Sequence, residues 1–277
     1  MVGHQKILGV SVLEDEAYQR ILNWLYDRCG MSYPENKKNL LIQYMQRVRK
    51  SFNIPSLATM ADKLELNCNH DLQLAVVHAA TTNHTYFFRE PLVLEYFKNT
   101  ILPLLPEKDV RIWSAAASSG DEAFTLAIIA AEVRGYVWAK QNLEILGTDI
   151  SQVVIAAAQT GVYSEAHVDK MPKEFLERYF VTFGKGHFRV QDDLRLVCKF
   201  HTFNLKSEDY FFPKLFHVVF CRNVLYYFDR AHQQHVVDAI YKVTEPGGYL
   251  VTCVTMSVRD LDSRWIHVEN GIYQKAT

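Results

Sequence analysis

Apolar positions in the first part of the chain recur with the period of an α-helix. Ser11 and Glu14 form a capping box, and the apolar residues that follow predict a first helix that ends near Gly30. A second helix is predicted over residues 35–51, with an apolar face formed by Leu40, Leu41, Tyr44, Met45 and Val48. Helical spacing continues to about residue 80, which predicts a small helical domain.

The opposite face of the second predicted helix is polar and basic. It carries Arg47 and Lys50, and Lys37, Lys38 and Arg49 add positive charge. Two interpretations are open, because a basic helix face is usually just solvated. The alternative is a docking surface for an acidic partner.

From Val110 onwards, predicted strands and helices alternate. The run Val110–Ala116 is short and apolar, as in a buried strand, and a turn leads from it into a helical pattern at 121–133. The alternation continues with predicted strands at 143–148, 217–221 and 249–255 and predicted helices at 151–159 and 230–243. This order predicts a doubly wound α/β sheet, which binds ligands at the carboxyl ends of its strands. A less regular alternation near 183–203 predicts a small antiparallel insert.

The charge balance excludes binding modes that depend on a strong overall field. The chain has 30 Lys and Arg against 31 Asp and Glu, a formal net charge of −1, so no nucleic-acid partner is predicted. No stretch approaches the roughly 20 apolar residues of a membrane span, and the acids at 14–16 are untypical of a signal peptide. The five cysteines form no Cys-x-x-Cys pair, which is typical of a reducing compartment. The sequence therefore predicts a cytoplasmic protein without membrane insertion.

The turn after the first predicted strand, Ala115–Glu122, has features of a ligand-binding loop. Its small residues allow a ligand to approach the backbone. Only Gly120 of the three glycines of a dinucleotide fingerprint is present, and Asp121 and Glu122 would repel phosphates. The acidic pair suits a ligand that carries positive charge or hydrogen-bond donors. The alternative is that both acids only complement the helix dipole.

Another acid, Asp149, ends the second predicted strand. Carboxylates at this point of nucleoside-binding sheets accept hydrogen bonds from the ribose diol. Asp149, followed by Ser151, also suits a helix cap, and the two roles are compatible. An acid that grips ribose, beside a turn that disfavours phosphates, suggests S-adenosylmethionine (SAM), a nucleoside with a sulfonium and an amino-acid tail.

No metal site is predicted. His232 and His235 lie three residues apart on a predicted helix, but no third ligand is evident nearby. Ser118 and Ser119 lack the context of a nucleophile elbow, so hydrolase chemistry is not predicted either.

Three strings of residues together resemble a known family. They are TTNHTYFFRE at 81–90, WSAAASSGDE at 113–122 and FCRNVLYYF at 220–228. In this order they are similar to motifs of the CheR-type chemotaxis receptor methyltransferases, and the resemblance covers nearly the whole chain.

The resemblance implies a domain plan and an activity. It implies a helical N-terminal domain at 1–80 that docks receptors, a linker and connecting helix at 81–105, and a SAM-binding α/β domain at 106–277 with a β-subdomain near 183–203. The family transfers the methyl group of SAM to glutamate side chains on the cytoplasmic helices of chemoreceptors, forming glutamyl methyl esters. Glutamate is ionised at neutral pH, so positioning and desolvation rather than a general base should drive the reaction.

The resemblance also assigns roles to individual residues. Arg89 and Tyr227 match the residues that face the reacting groups, although a salt bridge at a domain seam and a core tyrosine are the alternatives. Receptor docking is implied for Arg47, Arg49 and Lys50. Cofactor binding is implied for Asn83, Thr85, Arg89, Glu122, Asp149, Asn204, Leu205, Arg222 and Asn223.

One segment departs from the family. Thr252–Ser257 stands where a Gly-His-Ser-Glu string is common, which puts contacts with the substrate in doubt. Two alternatives to receptor methylation therefore stay open: a SAM methyltransferase with another substrate, and a non-catalytic module that binds SAM.

Overall fold

The computed structural model describes residues 12–81 and 84–277, and two units make up the chain, Met1–Thr82 and Asn83–Thr277. Within the described part of the first unit, a 3-10 turn at Glu35–Lys37 precedes the second helix. Contacts join the first helix to the third and the second to the fourth. The four helices are α1 (Val12–Cys29), α2 (Lys38–Ser51), α3 (Leu57–Glu65) and α4 (His70–Ala80).

Caps and apolar faces fix the helices of the first unit. The Ser56 hydroxyl and the Asn69 side chain accept backbone N–H groups at the starts of α3 and α4, which satisfies donors that a helix start leaves unpaired. On α2, Leu40 is 41% exposed, contrary to prediction, because consecutive helical residues point about 100° apart. The face of α2 that reaches the core carries Leu41, Met45 and Val48.

The second unit is built on a seven-stranded sheet. Its strands, in the order β6-β2-β1-β7-β8-β10-β9, pair in parallel from β6 to β8, and β10 runs antiparallel to both of its neighbours. The strands are β1 (Val110–Ser114), β2 (Leu143–Asp149), β6 (Cys198–Thr202), β7 (Phe216–Phe220), β8 (Thr244–Val251), β9 (Ile266–Glu269) and β10 (Ile272–Gln274).

Two apolar cores lie on opposite faces of this sheet, because alternate residues of a strand point to opposite sides. On β1, Ile112 belongs to one core and Trp113 to the other, and both are fully buried. A π-helical turn at Phe97–Ile101 continues the helix that begins at Pro91. The helices of the unit are α5 (Pro91–Tyr96), α6 (Leu102–Leu104), α7 (Asp121–Arg134), α8 (Tyr136–Asn142), α9 (Gln152–Thr160), α10 (Glu165–Val168), α11 (Lys173–Tyr179), α12 (Asp192–Val197) and α13 (Arg230–Lys242).

A separate three-stranded antiparallel sheet confirms the predicted fold class but not the predicted position of this insert. Its strands are β3 (Val162–Ser164), β4 (Phe180–Thr182) and β5 (His187–Val190), in the order β3-β5-β4. The insert therefore spans 162–190 rather than 183–203. The alternation at Cys198–Thr202 belongs to β6, an edge strand of the large sheet that buries Cys198 and Phe200 and exposes Lys199 and His201.

Among the helices within 12–81 and 84–277, none has the combined length and apolar character that crossing a membrane requires.

Candidate active site

The loop between β1 and α7 lies at the carboxyl edge of the large sheet and is tied to strands on both sides. Ala115 N–H donates to Phe220 O on the β7 side, and Ala117 N–H donates to Thr148 O on β2, both at 2.8 Å. Gly120 has φ +91°, and a Cβ added there would lie 3.0 Å from the Phe200 ring. Glycine is therefore required both by the backbone conformation and by space.

The carboxylate of Asp149 holds this loop beside the end of β2. One of its oxygens accepts Ser118 N–H and the other accepts Ser151 N–H, each at 3.0 Å. Phe203 N–H donates to the main-chain oxygen of Asp149 at 2.9 Å, which brings the segment after β6 to the same place. In that segment Leu205 is buried, and the Asn204 side chain accepts Lys206 N–H at 3.0 Å. Asp149, Asn204 and Leu205, predicted from separate motifs, thus belong to one region.

Glu122 joins β1, α7 and the end of β7. One carboxylate oxygen accepts the Ser114 hydroxyl at 2.7 Å, and the other accepts Arg222 Nη1 at 2.9 Å. Burial raises the pKa of Glu122, and the Arg222 guanidinium opposes this rise. Its neighbour Asp121 has no exposed surface and accepts the Ser119 hydroxyl at 2.6 Å, so only Glu122 of the acidic pair faces Arg222.

Arg222 also ties the segment that contains Arg89 to the sheet. Its side chain is 2% exposed, its Nη2 donates to Arg89 O at 2.6 Å, and the same atom lies 3.4 Å from Glu90 Oε2. Asn223 Nδ2 donates to Glu90 Oε1 at 3.0 Å. We call Glu90, Glu122, Arg222 and Asn223 the Arg222 network.

Glu90 is a member of this network to which the sequence motifs assigned no role. It has φ +56°, and Phe88 two residues earlier has φ +59°. Non-glycine residues in this region carry a backbone cost of about 1–3 kcal/mol each, which surrounding contacts must offset. One indication of a role for Glu90 was present in the sequence, which is its position directly beside Arg89.

The Arg222 network fits a cationic ligand with an amino-acid tail. Two carboxylates, Glu90 and Glu122, face the buried guanidinium of Arg222, and the more exposed guanidinium of Arg89 lies 3.9 Å from Glu90. Glu90 Oε2 and Arg222 Nε are buried and have no hydrogen-bond partner among the described residues. SAM offers a sulfonium and an ammonium for the acid and a carboxylate for the donor, so the residues present suit it.

The two candidate catalytic residues differ in exposure: Arg89 is partly exposed and Tyr227 is buried. Arg89 is 26% exposed, its Nη1 donates to His84 O at 2.5 Å, and its Nε lies 3.9 Å from Glu90 Oε1. Tyr227 is 9% exposed and ends a 3-10 turn, Leu225–Tyr227, that follows β7. The preceding Tyr226 donates its hydroxyl proton to the Tyr227 hydroxyl at 3.4 Å.

The remaining candidate residues have different surroundings. Thr85 is half-buried in the segment before Arg89, and Asn83 lies outside the described residues. In the first unit, Arg49 Nη1 donates to Ile54 O and Pro55 O, both at 2.8 Å, and thus fastens the chain after α2. Arg47 and Lys50 are exposed on α2.

The two histidines considered as metal ligands bind different partners. His232 Nδ1 lies 2.9 Å from the Asp229 carboxylate, and His235 Nε2 lies 2.7 Å from Ser207 O. Within 12–81 and 84–277, no three His, Cys, Asp or Glu side chains form a group that suits a metal ion.

Comparison with known proteins gives the family. Residues 83–271 match the family described as "CheR methyltransferase, SAM binding domain". The chain is 31% identical over 262 residues to "Chemotaxis protein methyltransferase 1" of Pseudomonas aeruginosa, which covers 91% of this chain and 95% of that protein. It is 29% identical over 259 residues to "Chemotaxis protein methyltransferase" of Borreliella burgdorferi, with 91% of each chain covered. Among solved structures, the glycopeptide N-methyltransferase MtfA has a TM-score of 0.37 and 16% identity over 63% of this chain and 61% of its own.

The family match covers most of the chain and includes the whole Arg222 network and the loop after β1. The relatives are matched over nearly their full length. The chain belongs to the CheR methyltransferase family, and it is a SAM-dependent methyltransferase of chemotaxis.

Proposed function

We propose that this protein transfers the methyl group of SAM to glutamate side chains on the cytoplasmic helices of chemoreceptors, forming glutamyl methyl esters. The observation that carries the proposal is the difference in exposure between two neighbouring guanidinium groups: Arg222 is 2% exposed and faces Glu90 and Glu122, whereas Arg89 is 26% exposed. Buried acids suit a cationic methyl donor. An exposed guanidinium suits an incoming carboxylate.

The cofactor would be held by side chains of the carboxyl edge. Asp149 accepts the ribose hydroxyls, because its carboxylate stands at the end of β2, where nucleoside-binding sheets place the acid that binds ribose. Glu122 and the rest of the Arg222 network surround the amino-acid tail, and Asn83 and Thr85 contribute from the preceding segment. Asn204 and Leu205, held beside Asp149 after β6, take the adenine side.

When bound, SAM would supply a methyl group activated by its sulfonium sulfur. A carboxylate oxygen would bond to that methyl carbon in line with the carbon–sulfur bond, whose electron pair would leave with S-adenosylhomocysteine. Because glutamate with a pKa near ~4.3 is already ionised at neutral pH, the chain needs no general base. Arg89 steers the carboxylate through charge-assisted hydrogen bonds, and the Tyr227 hydroxyl fixes its orientation. Alignment of the reacting atoms then contributes roughly 7–11 kcal/mol towards the barrier.

Receptor docking is proposed for the helical unit, with domain limits at 1–80, 81–105 and 106–277. Arg47 and Lys50 offer exposed positive charge on α2 for acidic receptor helices. Arg49 supports this surface indirectly, because its hydrogen bonds to Ile54 and Pro55 hold the end of the helix. The five cysteines are free thiols, which fits a cytoplasmic location.

The test is the transfer of labelled methyl from SAM to receptor-enriched membranes of the same cell. The expected product is a methyl ester that mild base releases as methanol, and membranes without chemoreceptors serve as the control. A product that resists base would indicate another acceptor. Absence of transfer to every receptor, with SAM bound normally, would overturn the proposal.

A further inference from the structure

A second tyrosine stands directly beside the proposed catalytic one and has no part in the mechanism above. The ring centroids of Tyr226 and Tyr227 are 4.4 Å apart, with their planes tilted by 45°. Tyr226 is 45% exposed, whereas Tyr227 is 9% exposed. Its large exposed ring therefore lies at the accessible side of the site.

The hydrogen bond between the two hydroxyls has a direction. Tyr226 is the donor and the Tyr227 oxygen is the acceptor, at 3.4 Å. A phenol has a single proton, so a Tyr227 oxygen that accepts from Tyr226 turns its own proton away from Tyr226. Bonds of this length in enzymes without substrate commonly shorten in the reacting complex.

Electrostatics favour the protonated form of Tyr226, which a hydrogen-bond donor requires. Burial and the neighbouring Tyr227 raise the pKa of Tyr226, while the Arg89 guanidinium acts in the opposite direction, and the net shift is upward. Tyr226 is therefore protonated at neutral pH. The influence of Arg89 also indicates that the Tyr226 hydroxyl and the proposed carboxylate-binding guanidinium lie within electrostatic reach of each other.

We propose that Tyr226 is a positioning residue for the methyl acceptor: by donating to the Tyr227 oxygen, it aims the Tyr227 proton at one oxygen of the acceptor carboxylate and leaves the other oxygen to attack the methyl group. This role rests on the proposed function, since it requires a carboxylate acceptor.

The test compares Tyr226→Phe with Tyr241→Phe, a matched variant of a half-buried tyrosine on α13 that packs against Trp265. Removing one neutral hydrogen bond should lower kcat about 2- to 10-fold in Tyr226→Phe and leave the KM for SAM unchanged. The control should match the unmodified enzyme. In a Tyr227→Phe background, Tyr226→Phe should have no further effect on kcat, because its influence passes through the Tyr227 hydroxyl.

A spectroscopic readout tests the hydrogen bond without any acceptor. With 13Cζ-labelled tyrosine, Tyr226→Phe should move the Tyr227 resonance, and Tyr241→Phe should leave it in place. An unchanged resonance, an unchanged kcat, or an equal loss of kcat in both backgrounds would overturn the role of Tyr226 alone. If the unmodified enzyme transfers no methyl to any receptor, the proposed function fails, and the positioning role of Tyr226 fails with it even where the resonance moves.

Discussion

The two sides of the candidate site differ in the solvent exposure of their charged and polar side chains. On the proposed cofactor side, Arg222 is almost fully buried and bonds to Glu122 and to the main chain. On the proposed acceptor side, Arg89 is 26% exposed and Tyr226 is 45% exposed. Buried charges must be satisfied inside the protein, whereas exposed ones keep water until a ligand replaces it. The difference teaches that cofactor binding and methyl transfer should depend on separable residues.

The largest effect is expected on stability, when the buried guanidinium of Arg222 is removed. Arg222→Met should lower the free energy of unfolding by about 3–5 kcal/mol, because Glu90 and Glu122 lose their buried counter-ion. Denaturant unfolding monitored by circular dichroism measures the change. Adding Glu90→Gln and Glu122→Gln to Arg222→Met should regain most of the loss. No recovery in the triple variant would show that unpaired charge is not the cause.

The next prediction separates the two sides directly. Arg89→Ala should lower kcat by about 10²–10³-fold, as expected for a lost charge-stabilising donor, with little change in the SAM dissociation constant. Asp149→Ala should weaken SAM binding by about 10–100-fold, because charge-assisted hydrogen bonds are lost. Calorimetry and single-turnover transfer measure the two quantities. Equal loss of SAM binding in both variants would contradict the division.

The raised pKa of Glu122 predicts that SAM binding depends on pH. The pKa of Glu122 is raised above its ordinary value of 4.5 by burial, so on acidification it takes up a proton before an ordinary carboxyl does. Protonation removes a negative charge from the cofactor side, and SAM affinity should fall as the pH decreases through this raised pKa. Calorimetric titration of SAM across this range measures the effect. Glu122→Gln should flatten this step, and a persistent step in that variant would assign the titration to another group.

The raised pKa of Glu122 also determines how the stability of the fold changes with pH. Because the folded-state pKa of Glu122 is raised, the folded protein binds this proton more tightly than the unfolded chain does. Glu122 therefore contributes stability below its unfolded pKa and loses that contribution as the pH rises through the folded value.

The smallest effect is expected on α2 of the helical unit. Arg47→Glu combined with Lys50→Glu should raise the receptor KM by up to about 10-fold at low salt, since exposed charge pairs contribute about 0.2–1 kcal/mol each and salt screens them. SAM affinity should stay unchanged, and Lys173→Glu, at an exposed lysine of the second unit, is the control. An unchanged receptor KM would indicate that the basic face of α2 is only solvated.

Periodicity in the sequence predicted α7 and several strands of the large sheet, placed the start of β8 five residues too late, and missed the shortest strands. The helix at α7 and the strands β1, β2 and β7 lie within a few residues of their predicted limits, because each presents a sustained apolar pattern. The strands β3, β4 and β5 have only three or four residues each and depend on antiparallel partners up to 27 residues away, as in Val162 with Arg189. Their local pattern is too brief to be distinguished from loops.

Site contacts between residues that are far apart in the sequence could not be predicted either. Asp149 and Glu122 were expected at the carboxyl edge because each follows a predicted strand. The role of Glu90 depends on Asn223, which is 133 residues away, and no local pattern indicates that contact. Likewise, the charge of Arg49 suggested a contact with a partner. In the structure its guanidinium donates instead to two carbonyl groups of the chain that follows α2.

Residue 89 is anchored through its main chain, whereas the proposed role in acceptor binding belongs to its side chain. Arg222 bonds to the carbonyl oxygen of Arg89, so the anchoring contact is independent of the side chain at this position. An acceptor that pulls on the guanidinium, or leaves it, therefore does not release the backbone from the wall of the cofactor site. If Arg89 binds the acceptor as proposed, successive acceptors exchange while this wall stays assembled, and a substitution at position 89 should change acceptor binding without removing the main-chain contact.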